Sequence, residues 1–292
     1  MNVPTDKRDL LDLAGKRLAS EPVDYARRMS AIRSENRKGV PWQPAGVLIP
    51  LCFKNTARPG TPAREEFVVQ LIRRSSAVAQ AGDLSGPGGM LNPRLDGILR
   101  IPLLLGMTPV LRGFPRNSAK TRGSEEFAAI GLFLANALRE AWEEIRLNPL
   151  NVEFLGPLPF RNLILFTKTI FPVLGYVKKD APFRLNEEVD RVVEIPLSAF
   201  FREEHYGTYC INDNVNGSKS FFETPCLIWT SPDGEEDVLW GVTLQIVMDF
   251  LAIVLDFKPP GMGGSRLVTR TLSQAYLRGN GRREAGRPGH SR

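Results

Sequence analysis

Residues Leu138–Leu147 read LREAWEEIRL, and their spacing constrains this chain more than any other stretch. An α-helix turns about 100° per residue. With Glu140 at zero, Glu144 falls near 40° and Glu143 near 300°, so three carboxylates share an arc of roughly 100°. Ala135, Leu138, Trp142 and Ile145 fall opposite, between roughly 140° and 220°, which predicts a helix that buries its Trp142 face and presents an acidic ridge. Like charges at this spacing repel unless a cation compensates, and hard oxygen ligands suit Mg²⁺ or Mn²⁺. Arg139 can hold one of these acids by a bidentate pair. Taken alone, the run also reads as a solvated acidic face. The turn Gly82–Leu91 (GDLSGPGGML) favours a site, because glycines let the backbone approach an ion or a phosphate.

The rest of the chain is ordered around that helix. Residues 1–40 read as a helical extension in which Leu10, Leu11, Leu13 and Leu18 alternate with charges, with a second short helix over Val23–Ser34. Ala45–Phe53 and Glu66–Arg73 read as strands joined by a Pro/Gly-rich turn. IPLLLGMTPVLRGFP follows the glycine turn, and RNSAKTRG reads as a polar loop. Ser124 is the expected N-cap of the central helix, with Glu125 and Glu126 in its first turn, and Asn148-Pro149 ends it near Arg146. Strands are expected at Val152–Leu158, Ile164–Leu174, Arg191–Ile195, Tyr206–Ile211, Ser220–Thr224 and Leu227–Thr230. Pro196–Phe201 reads as a short helix and Trp240–Leu255 as a closing apolar helix. Sheet, central helix, more sheet and closing helix make an α/β sandwich with a mixed sheet.

Composition narrows the chemistry. The 292 residues are 42% apolar and 24% charged, as in a globular protein. No stretch approaches the roughly 20 uncharged apolar residues of a membrane span, and the charged N-terminus does not read as a signal peptide, so a cytoplasmic protein with no membrane partner is expected. Cys52, Cys210 and Cys226 are widely separated and form no CxxC pair, and His205 and His290 are the only histidines, which leaves no disulfide framework and no multi-histidine zinc site. Cys52 reads as a small core residue and His205 as structural. The net charge of +6 is concentrated in Arg27–Lys38 and in an arginine-rich end, with 259–292 read as a basic, disordered tail. No aromatic interleaves those arginines, so nucleic acid is not the expected partner.

Two motifs together resemble the box of the Nudix hydrolases, G-x5-E-x7-R-E-U-x-E-E-x-G-U. Arg139-Glu140-Ala141-Trp142-Glu143-Glu144-Ile145-Arg146-Leu147 matches its second half, and Gly89 its first glycine. The chain is similar, more narrowly, to the coenzyme A pyrophosphatase branch. The matching stretches are Arg73-Arg74-Ser75, Ala81–Gly89, VLIPL at Val47–Leu51, VEFLGPLP at Val152–Pro159 and NEEVDRVVEIPLSAF at Asn186–Phe200. The resemblance covers roughly residues 41–255 and implies a Nudix domain over 41–258. Three departures stand out. The pattern sets its glycine 14 positions before the arginine, and the distance from Gly89 to Arg139 implies roughly 36 inserted residues, placed at about 92–123. Gly131 stands eight positions ahead of Arg139, where the family has a glutamate, and Arg146 stands at the late box glycine.

The resemblance implies a Nudix-like α/β/α sandwich and a divalent ion, Mg²⁺ or Mn²⁺, held by Glu140, Glu143 and Glu144 with help from the Gly88 and Gly89 backbone, Arg139 orienting a glutamate. It implies hydrolysis of a nucleoside diphosphate derivative, with Glu140 nearest the proton-accepting role. For coenzyme A or acyl-CoA the products would be 4′-phosphopantetheine and adenosine 3′,5′-bisphosphate. Arg73, Arg74 and Lys54 are candidate phosphate partners, Trp240 and Phe221 candidate adenine-stacking residues, and Glu187 or Glu188 a candidate extra acid. Another dinucleotide (NADH, ADP-ribose or a diadenosine polyphosphate) and a catalytically silent binding module are the competing readings. The insertion could line the substrate pocket, cap it, or pack on a second copy in a homodimer.

Overall fold

The computed structural model describes residues 6–58, 61–163, 166–213, 220–260, 266–272 and 276. Helix α1 (Lys7–Ser20) starts where the Asp6 carboxylate accepts from the Arg8 and Asp9 amides at 2.7 and 3.1 Å. Helix α2 (Tyr25–Arg37) has no cap of its own. Glu126 supplies it, accepting from the Tyr25 and Ala26 amides at 2.9 Å each. The expected helix over Val23–Ser34 is thus displaced by two to three residues.

A mixed sheet forms the middle layer. Its strands are β1 (Gln43–Arg58), β2 (Thr61–Arg74), β3 (Leu84–Ser85), β4 (Gly88–Met90), β5 (Val152–Pro157), β6 (Arg161–Leu163), β7 (Lys168–Val177) and β8 (Val189–Pro196). The main path runs β3-β2-β1-β7-β5, with β4 paired to β1, β6 to β7 and β8 to β2. β1 and β7 are parallel and the other pairs antiparallel. Side chains alternate across β1 and β2. Ile49, Leu51, Phe67, Val69 and Leu71 face a core shared with α1 and helix α6 (Gly241–Leu255). Leu48, Cys52, Val68 and Ile72 face the opposite core, with α2 and helix α5 (Ser124–Ile145). The result is helix, sheet, helix, as the pattern predicts. The first 40 residues supply a helix to each outer layer: Leu10, Ala14 and Leu18 pack in one core, Tyr25, Met29 and Ile32 in the other.

A smaller sheet, ordered β11-β10-β9-β12, joins β9 (Tyr206–Asp213), β10 (Ser220–Thr230), β11 (Glu236–Trp240) and β12 (Leu267–Leu272). The two short strands expected between Ser220 and Thr230 are one strand, with Pro225 on it opposite Thr208. The strand expected over Ile164–Leu174 is instead β6 followed by β7; residues 164 and 165 lie outside the described residues. Part of the expected tail is ordered too. Leu267–Leu272 pairs in parallel with β9, and Tyr276 is buried, because both sit against the folded body; residues 277–292 lie outside the described residues.

The stretch 92–123, expected to be an insertion, folds as two helices, α3 (Leu95–Leu104) and α4 (Gly113–Thr121). The expected loop RNSAKTRG is therefore mostly helix, because Ala119 is buried and Arg116 donates to the Leu104 carbonyl at 2.7 Å, which ties the two helices together. Arg122 then donates to the Leu18, Ala19 and Glu21 carbonyls at the end of α1. Gly123 at φ 99° precedes α5, so Ser124 is its first helical residue rather than its cap. Among the described residues no helix is long and apolar enough to cross a membrane.

Candidate active site

Helix α5 carries the predicted ridge, and strand β4 brings the glycine turn onto it. β4 pairs with β1 as Gly88 with Val47 and Gly89 with Gly46. The Asn136 side chain ties the helix to both strands, accepting from the Gly46 amide at 2.6 Å and donating to the Met90 carbonyl at 3.2 Å. A Cβ on this seam would force its neighbours to shift. One added at Gly89 would lie 2.5 Å from the Glu140 carboxyl carbon, and one at Gly88 would lie 2.4 Å from the Gly46 carbonyl oxygen. The two glycines are what permit the helix carboxylates to meet the strand backbone.

The three glutamates are not equivalent. Glu144 is buried and accepts from the Gly88 amide at 2.9 Å. Burial, then the charges of Glu140 and Glu188, push its carboxyl up to about 8 against the partial relief of the Gly88 amide and Arg74. Burial also raises Glu140, and its Arg139 partner at 2.9 Å only partly offsets this. Glu143 is exposed and pairs with Arg139 at 3.0 Å. Trp142 is 44% exposed, not buried as the helical wheel suggests; Leu138, Ala141 and Ile145 carry the packing.

Arg139 has a stronger partner than any glutamate. Asp96, fully buried on α3, accepts from its Nε at 2.7 Å and from its Nη2 at 3.2 Å. Burial opposes the Arg139 charge, but Asp96, Glu140 and Glu143 outweigh it and raise its pKa. Gly131, eight positions ahead of Arg139, faces elsewhere: a Cβ there would lie 2.5 Å from Leu104 Cδ2 of α3. Helix α3 therefore supplies the buried acid that pairs with Arg139, and its Leu104 packs where a side chain at position 131 would stand. Sequence reasoning missed Asp96; its signal was a single acid opening an apolar helix just past the glycine turn. Arg146 ends α5 in the left-handed region at φ 57°, the conformation a glycine would adopt freely.

The loop before β8 flanks the ridge. The Asn186 amide donates to the Glu144 carbonyl at 2.9 Å, and the Glu188 charge reaches the Glu144 carboxyl. Glu187 and Glu188 accept through their carbonyls from the Ser75 hydroxyl and amide. Arg74 is close enough for its charge to lower Glu144 and to depress the half-buried Lys168, for which burial is the larger cause. Lys168 was also missed; no ion pair holds it among the described residues. Arg73 turns toward Asp190, Glu235 and Asp237, and Lys54 toward Asp180 and Glu194, so neither joins the ridge. Trp240 lies against Tyr209 and donates to Asp83 at 3.3 Å. The Phe221 side chain lies outside those described. His205 sits edge-on to Trp229, and Cys52 is buried.

A cavity of about 650 Å³ opens beside Lys54, Phe183, Arg191 and Glu194. No ridge glutamate lines it. Among the described residues no three acid, His or Cys side chains converge as a ready metal cage. Two features still fit a hard divalent cation: the buried Glu144 carboxylate without a basic partner in contact, and the cradle against Glu140 that a Cβ at Gly89 would fill.

No family model matches the chain. Over 127 residues it is 34% identical to curated proteins described as uncharacterized Nudix hydrolase NudL, from Escherichia coli strain SMS-3-5 and from Shigella boydii serotype 4. The match takes in 43% of this chain and 60% of the relatives' own length. Similar solved structures include a C. elegans Ap4A hydrolase binary complex (14% identity, TM-score 0.32, 53% of this chain and 81% of that one). Another is the NUDIX domain of Shewanella oneidensis NrtR complexed with ADP ribose (14% identity, TM-score 0.32, 54% and 74%). The relatives that match in sequence are thus described as Nudix hydrolases, and the chain spans about three fifths of their length.

Proposed function

We propose that the chain is a divalent-metal-dependent pyrophosphohydrolase of nucleoside diphosphate derivatives, acting on coenzyme A or acyl-CoA. The observation that carries this reading is the Gly88 amide meeting the Glu144 carboxylate at 2.9 Å, with Glu140 filling the space a Gly89 side chain would take. Glu140 and Glu144 would hold Mg²⁺ or Mn²⁺ with the Gly89 backbone, and Glu143 stands next to them on the rim. When bound, the ion supplies Lewis-acid polarisation of the diphosphate and acidifies an attacking water.

The chain's own groups do the rest. Arg139 fixes Glu140 from one side and is itself fixed by Asp96. Glu140 would take the proton released as water attacks phosphorus and the P–O–P bridge breaks. Arg74 and Lys168 offer positive charge to phosphate oxygens. Glu188 remains a candidate acid beside Glu144. The sequence run that favours coenzyme A is Arg73-Arg74-Ser75 through Gly89, which leads from the end of β2 through β3 into the glycine turn.

The test is hydrolysis of coenzyme A with and without Mg²⁺ or Mn²⁺, with products identified by mass. Adenosine 3′,5′-bisphosphate and 4′-phosphopantetheine, formed only with metal, are expected. Cleavage of NADH, ADP-ribose or a diadenosine polyphosphate in place of coenzyme A would move the substrate to another dinucleotide. Binding without any metal-dependent turnover would make the chain a silent module.

A further inference from the structure

The solvent face of α3 is apolar from end to end. With Leu95 at zero, Ile98, Ile101 and Leu105 fall near 300°, 240° and 280° at about 100° per residue, and Asp96 and Leu103 point the other way, into the protein. Ile98 is 65% exposed, Ile101 51%, Leu105 64% and the following Met107 69%. Contiguous exposure on this scale marks a contact surface. Arg94, helical in backbone, continues the same stripe at about 260°. Arg112, donating to the Thr108 carbonyl, stands just past its other end.

The charge around the stripe has one sign. Between 92 and 123 the cations are Arg94, Arg100, Arg112, Arg116, Lys120 and Arg122, and the one acid is Asp96, which is buried against Arg139. None of the six makes an ion pair among the described residues, and Arg94, Arg112 and Lys120 are exposed. We infer that this helix is a docking element for an anionic lipid surface, with Ile98, Ile101, Leu105 and Met107 entering the acyl boundary and Arg94 and Arg112 meeting headgroup phosphates and carboxylates. The complementarity selects this occupant. A second copy would set the same cations against one another, and the stripe itself is aliphatic, with no Trp or Tyr among its exposed side chains. Contact is with the surface, since no described helix can span. It departs from the expectation of no membrane partner, which rested on the lack of a spanning stretch and of a signal peptide, and it stands independently of the proposed hydrolysis.

The test is sedimentation of the full chain with vesicles of phosphatidylcholine alone or with about 30% phosphatidylserine. Recovery with anionic vesicles is expected to exceed that with neutral ones by ~5-fold at low salt and to fall away near 1 M salt. Ile98→Ser/Ile101→Ser/Leu105→Ser should abolish recovery with an unchanged melting temperature, and Arg94→Glu/Arg112→Glu should abolish the anionic preference. Equal or absent recovery with both vesicles, or full binding by either variant, overturns the inference. So does a wild-type dimer, seen by light scattering, that the serine variant dissolves, or an acidic protein captured in preference to vesicles. If the serine variant fails to fold, the charge-reversed variant decides.

Discussion

Asp96 reaches across from the inserted helix to grip Arg139 through two hydrogen bonds, at 2.7 and 3.2 Å, while its Oδ2 also accepts from the Asn92 amide at 2.7 Å. Helix α3 is thus built into the ridge rather than hung on the surface. Asp96→Asn leaves the guanidinium without its buried counter-charge. It should destabilise the chain by about 3 kcal/mol in urea titration. In the remaining folded protein it should lower kcat by about tenfold with KM little changed, because Arg139 no longer orients Glu140.

Glu144→Gln removes the buried carboxylate but keeps an acceptor for the Gly88 amide. Turnover should fall by about 10²–10⁴-fold in a folded protein, read by initial rates and circular dichroism. The notable comparison is Glu143→Gln: the exposed position of Glu143 makes it the partner whose loss should be smaller than that of Glu144, though still orders of magnitude.

Glu144 also sets a pH dependence. Its carboxyl is raised from 4.5 to about 8, so between those values the folded chain keeps a proton the unfolded chain has lost. Stability in chelator should therefore fall as pH rises from 4.5 toward 8 and level off above it. Glu144→Gln should flatten most of that slope, leaving the part due to Glu140, which is shifted the same way. Added Mg²⁺ or Mn²⁺ should raise the melting temperature more at pH 8 than at pH 5.5, measured by calorimetry. Equal slopes in both proteins would remove the assignment.

Gly131→Ala tests how the inserted helix seats. The new methyl meets Leu104 at 2.5 Å and should cost about 1–3 kcal/mol by overpacking. Leu104→Ala in the same chain should recover part of that loss, read as a double-mutant cycle in denaturant.

Arg146→Gly should stabilise by about 0.5–1 kcal/mol, because a left-handed residue strained by its Cβ is replaced by one that adopts φ 57° freely. Thermal melts measure it.

The ridge and the glycine turn were legible because both are local: helical spacing places the carboxylates, and PGG marks a close approach. The layered fold was legible from alternation and periodicity. Asp96 was not, since its role depends on a one-turn helix start that returns it to Arg139, and spacing counted backward from Arg139 leads to Gly131 instead. Trp142 misled for a related reason. The helix is buried all round from Ile130 to Leu138, but in its last two turns the buried side runs through Ala141, Glu144 and Ile145 and leaves Trp142 outside. The helix α4 was hidden by polar residues whose docking, through Arg116 and Arg122 to backbone carbonyls, has no sequence period.

Asp83, just ahead of the glycine turn, accepts from Arg270 at 2.7 Å and from the Tyr276 hydroxyl at 2.5 Å, and the Gln80 amide donates to the Tyr276 carbonyl at 2.7 Å. These partners are made nearly two hundred residues later. During synthesis, then, the segment leading into the turn waits for β12 to leave the ribosome, and a nascent chain stopped short of Arg270 carries every ridge glutamate yet lacks the bonds that hold Asp83 in place.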